Sequence, residues 1–502
     1  MSSMRDLGPA EADVLDTSDA GGLAVRGGAL RLVSYVVTAA ISLVSVVVLT
    51  RYLDPGRFGQ YQTIISLIIV AGALSDLGMA MLGTREYAQR TGDDRWEFMR
   101  VLAGLRIALT FLGVAGALAF ALAAGYSGGL LLGAAFASVG LLLTVFQTMF
   151  SIPLGVELRL GTLAAMDVVR QLLTTAIIVG IVLAGGGVAL ILAAAIPVQL
   201  ALILWTWTIV RGKIPALPNW APAAWRGLIV ASIGFALAMA SGAIYQNLAQ
   251  ILTSLVAGEQ QTGLFSVAFR VFMVAGSVPF LLVGSAFPIL ARAARDDRER
   301  LRYALARLTQ VSLIVGGAVA LVVFLAAGPI INVVGGPSFD GSIPVLQILA
   351  IAMFIGFAIV SWAFGLLSSH FHRPIVIANL VAIAVMGLLV LSLASSSLGA
   401  QGTAIGVLAG EVCLAVGYAI GLRAGERSIE LVPVEAFRAL AAISLSLAVG
   451  LLLPVGSDLV ATAAALAAYG VLLIIFRAIP AETIDLLPAA VRERVPAWML
   501  AD

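Results

Sequence analysis

Fourteen apolar stretches of about 20 residues recur along the chain, each long enough to cross a hydrocarbon core of about 30 Å as a helix. They fall near 30–50, 61–83, 101–124, 129–152, 163–184, 187–210, 227–248, 263–287, 303–327, 342–368, 374–394, 402–423, 436–454 and 459–478, and most are joined by very short loops. Charged residues make up 11% of the 502 residues and hydrophobic ones 61%, whereas soluble proteins carry about 25% charged residues. A water-soluble fold is excluded, and the expected class is an all-α membrane protein of about 14 transmembrane helices.

Arg and Lys in the short connections set the expected orientation. One set of connections holds Arg85, Arg90, Arg95 and Arg100, then Arg159, then Arg211, Lys213 and Arg226, then the run from Arg292 to Arg302, then Arg373, and finally Arg423, Arg427 and Arg438. The alternating set holds only Arg51 and Arg57 and is otherwise marked by the acids Glu259, Asp340 and Asp458. The Arg-bearing set is therefore read as cytoplasmic, giving a multi-pass protein of the cytoplasmic (inner) membrane with both termini inside. Residues 1–29 are polar and acidic and lack the basic start, short apolar core and small-residue cleavage site of a signal peptide, so they read as a disordered cytoplasmic tail. A second tail is expected over 479–502.

The net charge of +2 gives no global basic field, so nucleic acid is not an expected partner. The single cysteine, Cys413, has no partner for an internal disulfide or a thiolate metal site, and no metal or cofactor is expected. No Walker loop is present to support ATP hydrolysis.

Two short motifs recur at nearly one offset. The charged loop Arg90-Thr91-Gly92-Asp93-Asp94-Arg95 returns as Arg295-Asp296-Asp297-Arg298, about 203 residues later, and Phe58-Gly59-Gln60-Tyr61 returns as Thr262-Gly263-Leu264-Phe265, 204 later. A repeat of six spans follows. Six is even, so both copies enter from the same side and are related by an axis along the membrane normal. The expected organisation is a six-helix lobe over 30–210, a cytoplasmic linker over 211–226, a second six-helix lobe over 227–424, and an extra two-helix segment over 425–478. Such paired bundles enclose a cavity and work by rocking. Pro197 and Pro279, the latter flanked by Gly276 and Gly284, are placed to kink spans near such a site.

The segment Leu49-Thr50-Arg51-Tyr52-Leu53-Asp54-Pro55-Gly56-Arg57-Phe58-Gly59-Gln60-Tyr61, followed by Ser75-Asp76-Leu77-Gly78 and Arg85, resembles the N-terminal signature of the polysaccharide-biosynthesis flippases. These belong to the multidrug/oligosaccharidyl-lipid/polysaccharide exporter superfamily. The second half adds Ala257-Gly258-Glu259, Gly263-Leu264-Phe265-Ser266-Val267-Ala268-Phe269-Arg270, Phe287-Pro288-Ile289-Leu290 and Leu398-Gly399-Ala400-Gln401-Gly402, so that the resemblance spans roughly 25–425. It implies translocation of an undecaprenyl-pyrophosphate-linked glycan from the inner to the outer leaflet by alternating access. The implied partners are membrane lipid, the polyprenyl-pyrophosphate-linked glycan, and a polysaccharide polymerase or glycosyltransferase, with the protein itself a monomer. The chain departs from the family near the end of the seventh span, where the family often has an acid and this sequence has Gln246, Asn247 and Gln250 as cavity polar groups.

Charges at span depth are costly and usually face a cavity or a partner. Arg270 is the first candidate for binding the pyrophosphate, through forked charge-assisted hydrogen bonds; the other reading is a side chain snorkelling to the headgroups. Arg31 and Arg51 are candidates for the same anion at the two ends of its path, or else interfacial anchors, with Asp54 as a local surface partner for Arg51. Arg106 and Arg170 lie near the cytoplasmic side and read as snorkelling. Glu411 is the deepest acid and lies one position off a ridge of Gly402, Gly406 and Gly410, continued by Gly417 and Gly421, which predicts a close helix contact. Glu411 reads as a site for a coupling ion or proton, or as a structural hydrogen-bonding group. Asp76, just before Gly78, shares the coupling reading with a second one, satisfying backbone groups freed at a helix break.

Two other functions stay open. A multidrug or small-cation exporter of the same superfamily would want an anionic cavity, against which the arginines argue. A membrane-embedded lipid-sugar transferase would need carboxylates or histidines in a sizeable outer loop, but the outer loops are short and the histidines, His370 and His372, fall at a cytoplasmic turn. The chain is therefore expected not to be an enzyme.

Overall fold

A computed structural model describes residues 20–478 except 127, 216, 281–282, 285–289, 291–297, 370, 426–433 and 454–456. The tails over 1–19 and 479–502, most of the second charged loop with Arg292 and Arg295, Phe287-Pro288-Ile289, Arg427 and His370 lie outside the described residues, as does the side chain of Arg31. All regular secondary structure among the described residues is helical. Within hydrocarbon this is what backbone hydrogen bonding demands, since no water can satisfy a free N–H or C=O.

The first half comprises α1 (Ala20–Tyr52), α2 (Pro55–Asp76), α3 (Met79–Gln89), α4 (Gly92–Ala123), α5 (Gly128–Phe150), the short α6 (Ile152–Val156), α7 (Leu160–Leu183), α8 (Val188–Ala193) and α9 (Ala195–Val210). The second half comprises α10 (Pro222–Val256), α11 (Gly258–Ala275), α12 (Arg298–Leu325), α13 (Ala327–Val334), α14 (Ile343–Ser368), α15 (His372–Leu389) and α16 (Ala400–Gly425), and is followed by α17 (Val434–Leu452) and α18 (Asp458–Ile475). Among the described residues 12 helical segments are long and apolar enough to cross a membrane, and α17 contributes a shorter apolar helix over Phe437–Leu452. The remaining expected span falls within α10, a helix of 35 residues. Helix α1 begins at Ala20, earlier than the expected start of its span near residue 30.

Local chemistry places the breaks. Asp54 starts α2 with its carboxylate accepting from the Arg57 backbone N–H at 2.9 Å, and Pro55 occupies the first helical position. The span over Pro55–Gln89 is broken between α2 and α3 at Leu77 and Gly78, which take φ of 43° and 70°. Pro197 and Pro279 each sit just after an interruption, at Ala194 and at Gly276, so the strain of a missing N–H falls in a first turn. Inside the spans, hydroxyls donate back to carbonyls four residues earlier, as Thr63 does to Gly59, Thr110 to Arg106 and Thr253 to Ala249.

The chain forms two compact units, one of Met1–Ser45 with Ala71–Ala236, the other of Val46–Val70 with Leu237–Asp502. The first unit is centred on buried Met79, Tyr87, Phe98, Met99, Leu102, Leu105 and Met149, with a second cluster of Leu154, Met166, Val198, Leu202 and Val210. The segment after α9 is pinned to this unit. Lys213 pairs with Glu157, and Asn219 bonds both Glu97 and the Arg100 carbonyl.

In the second unit the glycine ridge of α16 makes the close helix contact that the sequence predicts, against α15 and the helical turn Val390–Ala394 that continues it. A Cβ added at Gly402, Gly406, Gly417 or Gly421 would come within 2.5 or 2.6 Å of Leu393, Val390, Ala378 or Pro374 respectively. Helices α17 and α18 pack on α12, where Tyr469 donates to the Ile314 carbonyl at 3.0 Å and Gln310 to the Ala478 carbonyl at 2.8 Å. The start of α2, which belongs to this unit, crosses the start of α11 by way of the repeated motif. A Cβ at Gly59 would lie 1.9 Å from the Glu259 carbonyl oxygen, and one at Gly263 would lie 1.8 Å from that of Pro55. Pro55 and Glu259, like Gly59 and Gly263, are separated by the offset of 204 seen in the sequence motif, and the two close approaches are reciprocal.

Candidate functional site

In the second unit the polar groups at depth collect around α10, α14 and α16. Glu411 is buried, and the Tyr245 hydroxyl donates to its Oε1 at 3.0 Å. Its Oε2 lies beside Gly356 of α14, which leaves room for the carboxyl between three helices. Gly410 lets Tyr245 come this close, since a Cβ there would lie 2.8 Å from the Tyr245 hydroxyl. Nearby, Thr253 and Thr403 share a hydrogen bond of 2.7 Å and Asn379 donates to Ser241 at 3.5 Å. Such interhelical pairs satisfy polar groups that lipid cannot.

The three amides expected to be cavity groups do not act together. Gln246 is exposed, Asn247 donates to the Ala243 carbonyl of its own helix at 2.9 Å, and buried Gln250 accepts from Ser66 of α2 at 2.6 Å. Spacing along one helix placed them in a group; their directions around the helix separate them.

Arg270 lies half-buried on α11, within electrostatic range of the Tyr61 hydroxyl. Arg51 does not pair with Asp54, which binds Arg57 at 3.4 Å instead. Its Nη2 donates to the carbonyls of Asn332 at 2.6 Å and Val333 at 3.4 Å, in the last turn of α13. A cation there satisfies carbonyls at the negative end of a helix dipole. Close by, Thr50 donates to the Val334 carbonyl.

The first unit corrects the snorkelling expectation for Arg106. Arg106 is 3% exposed and donates from Nη2 to Asp76 at 2.7 Å and to Thr148 at 3.2 Å. Asp76 stands at the helix break, as expected, but its carboxylate serves this guanidinium. Arg170 reaches Asp167 at 3.4 Å and donates to Gln147 at 3.2 Å, and Gln147 in turn donates to Ser151 at 3.0 Å. Two signals could have paired Asp76 with Arg106. They are opposite charges at depth in consecutive spans, and each alone would be costly to bury. Tyr245 is the other residue that sequence reasoning missed, because a lone tyrosine in an apolar helix does not show which way it points.

The family model for the polysaccharide biosynthesis protein matches residues 24–294, more than half of the chain. No curated protein sequence matches it. Among solved structures, the lipid II flippase MurJ in an inward closed conformation is similar with a TM-score of 0.74 at 13% identity, over 89% of this chain and 98% of that one. An inward-facing multidrug resistance MATE family transporter of the MOP superfamily is similar with a TM-score of 0.63 at 17% identity, over 78% and 96%. A MOP superfamily transporter from Pyrococcus furiosus, whose structure was described as having a binding pocket of reverse polarity, gives 0.56 at 16% identity, over 84% and 99%. With that family match the chain belongs to the polysaccharide biosynthesis protein family, and it has the fold of the flippase and exporter structures it resembles, with 12 helical segments of membrane-spanning length among the described residues.

Proposed function

We propose that the protein is a flippase carrying a polyprenyl-pyrophosphate-linked oligosaccharide from the inner to the outer leaflet by alternating access, for synthesis of a cell-surface polysaccharide. The observation that carries this reading is Arg270, a cation held half-buried within an apolar helix. A charge at that depth is costly, and a diphosphate is the substrate group that a guanidinium matches with paired hydrogen bonds. Arg51 is assigned a supporting contact with the same anion. Orientation follows from the arginine-rich connections, with both termini cytoplasmic in the inner membrane. Glu411 is assigned the coupling proton, and α17 and α18 the groove for the lipid tail.

A cation exporter of the same superfamily would use Glu411 as its binding carboxylate and would have no use for Arg270. Leaflet translocation of a fluorescent polyprenyl-pyrophosphate glycan in vesicles separates the two. Arg270→Ala is expected to lower the rate at least about tenfold, the worth of one charge-assisted pair, with Arg270→Lys restoring part of it. Unchanged translocation in both variants at normal protein level would sink the proposal.

A further inference from the structure

The first unit holds a cavity of about 470 Å³ between α3, α5, α6 and α7. Its polar wall is Thr84, Gln147, Thr148, Ser151, Asp167 and Arg170, and the rest is aliphatic or methionine. None of these residues has a part in the function proposed above. The volume falls within the range of small-molecule sites.

The wall chemistry selects the ligand class. Arg170 and Asp167 share the cavity as an ion pair at 3.4 Å. A phosphoryl dianion would gain at the guanidinium and lose at the adjacent carboxylate, so a site for phosphate alone would not carry Asp167. The hydroxyls of Thr84 and Thr148 donate to carbonyls of their own helices and that of Ser151 to the Gln147 carbonyl of α5, each at 2.9 Å. Their remaining capacity is to accept. On the donor side, Arg170 and Gln147 line the cavity and have N–H groups beyond those already given to Asp167, Gln147 and Ser151. A wall that offers acceptors, a carboxylate and surplus N–H donors complements a group that both donates and accepts at neighbouring atoms. Vicinal hydroxyls of a sugar ring do this, and the aliphatic remainder suits its C–H face.

We propose that this cavity is a subsite for the sugar head of the transported lipid, with Asp167 accepting from, and Arg170 and Gln147 donating to, ring hydroxyls. The proposal rests on the flippase reading and names which part of the substrate the first unit recognises. The purified full-length protein in nanodiscs is titrated with two probes, a short-chain polyprenyl pyrophosphate and the same lipid bearing one hexose. Wild type is expected to bind the hexosylated probe at least about fivefold tighter, the worth of one net hydrogen bond. Asp167→Asn and Gln147→Leu should remove that difference and leave binding of the bare lipid within about twofold. Equal binding of the two probes by wild type would overturn the subsite while the flippase reading stands. Binding of neither would end both. Equal weakening of both probes in the variants would make the cavity structural and overturn the proposal.

A second measurement does not depend on these variants folding. Ser151→Cys in a Cys413→Ser background is treated with a small methanethiosulfonate reagent. The hexosylated lipid should slow its labelling and the bare lipid should not; equal protection or none overturns the assignment.

Discussion

Asp76 and Arg106 bury unequal shares of one ion pair, and the inequality makes their substitutions differ. The Arg106 side chain is 3% exposed and that of Asp76 is 32% exposed. Removing the carboxylate strands a charged guanidinium away from water, a loss of about 3–5 kcal/mol. Removing the guanidinium leaves a carboxylate that water still reaches, at a smaller cost. Asp76→Ala should therefore lower the thermal midpoint of the purified protein more than Arg106→Met. The double variant Asp76→Leu/Arg106→Met should recover most of the loss, because two uncharged groups no longer need each other. Equal single losses with no recovery would show that the pair does not act as a unit. At this scale the sequence carried the presence of charges at depth but not their partners. Arg51 illustrates why: its nearest acid in sequence is Asp54, yet its guanidinium binds backbone carbonyls about 280 residues away, and carbonyls leave no mark in a sequence.

Helix contacts were legible where small residues mark them. The α16 ridge predicted a close approach, and α15 with the turn that continues it supplies the partner. The repeated Gly59 and Gly263 were legible as equivalents, but an offset of 204 identifies matching residues without saying that they meet. In the folded chain they cross, each against the carbonyl of the residue four before the other. An alanine at either position would put its Cβ within 2 Å of a backbone oxygen, and backbone cannot move aside as a side chain does. Gly59→Ala and Gly263→Ala should each destabilise the protein by about 1–3 kcal/mol or more. Gly470→Ala, where a Cβ meets nothing within 4 Å, should be neutral or mildly stabilising by helix propensity. Thermal unfolding in detergent reads all three. A neutral result at Gly59 and Gly263 would mean that the crossing is looser than described.

For the whole molecule, 12 spanning helices and one shorter apolar helix stand among the described residues, and the all-helical membrane class was open to reading because apolar stretches are a pattern along the chain. Helix neighbours were not, since a helix apolar on every side has no face that declares its partner. Glu411 bridges the two kinds of knowledge: its depth is visible in the sequence, whereas its seat between α10, α14 and α16, with the Tyr245 hydroxyl on it, is not. Among the described residues the titratable groups acting on this cluster are Tyr245, Tyr418 and Cys413, so Glu411 is the one carboxyl among them. If transport takes up a proton there, each pH unit across the membrane contributes about 1.4 kcal/mol per proton, while 100 mV acting on one charge contributes about 2.3 kcal/mol. A gradient of two units therefore outweighs that potential and is large enough to read. In vesicles, an imposed gradient should change the initial translocation rate of wild type several-fold. Glu411→Gln, which keeps an acceptor for Tyr245, should be indifferent to the gradient and still respond to an imposed potential. A variant that keeps its response to the gradient would make Glu411 a structural partner of Tyr245 and place the coupling group elsewhere.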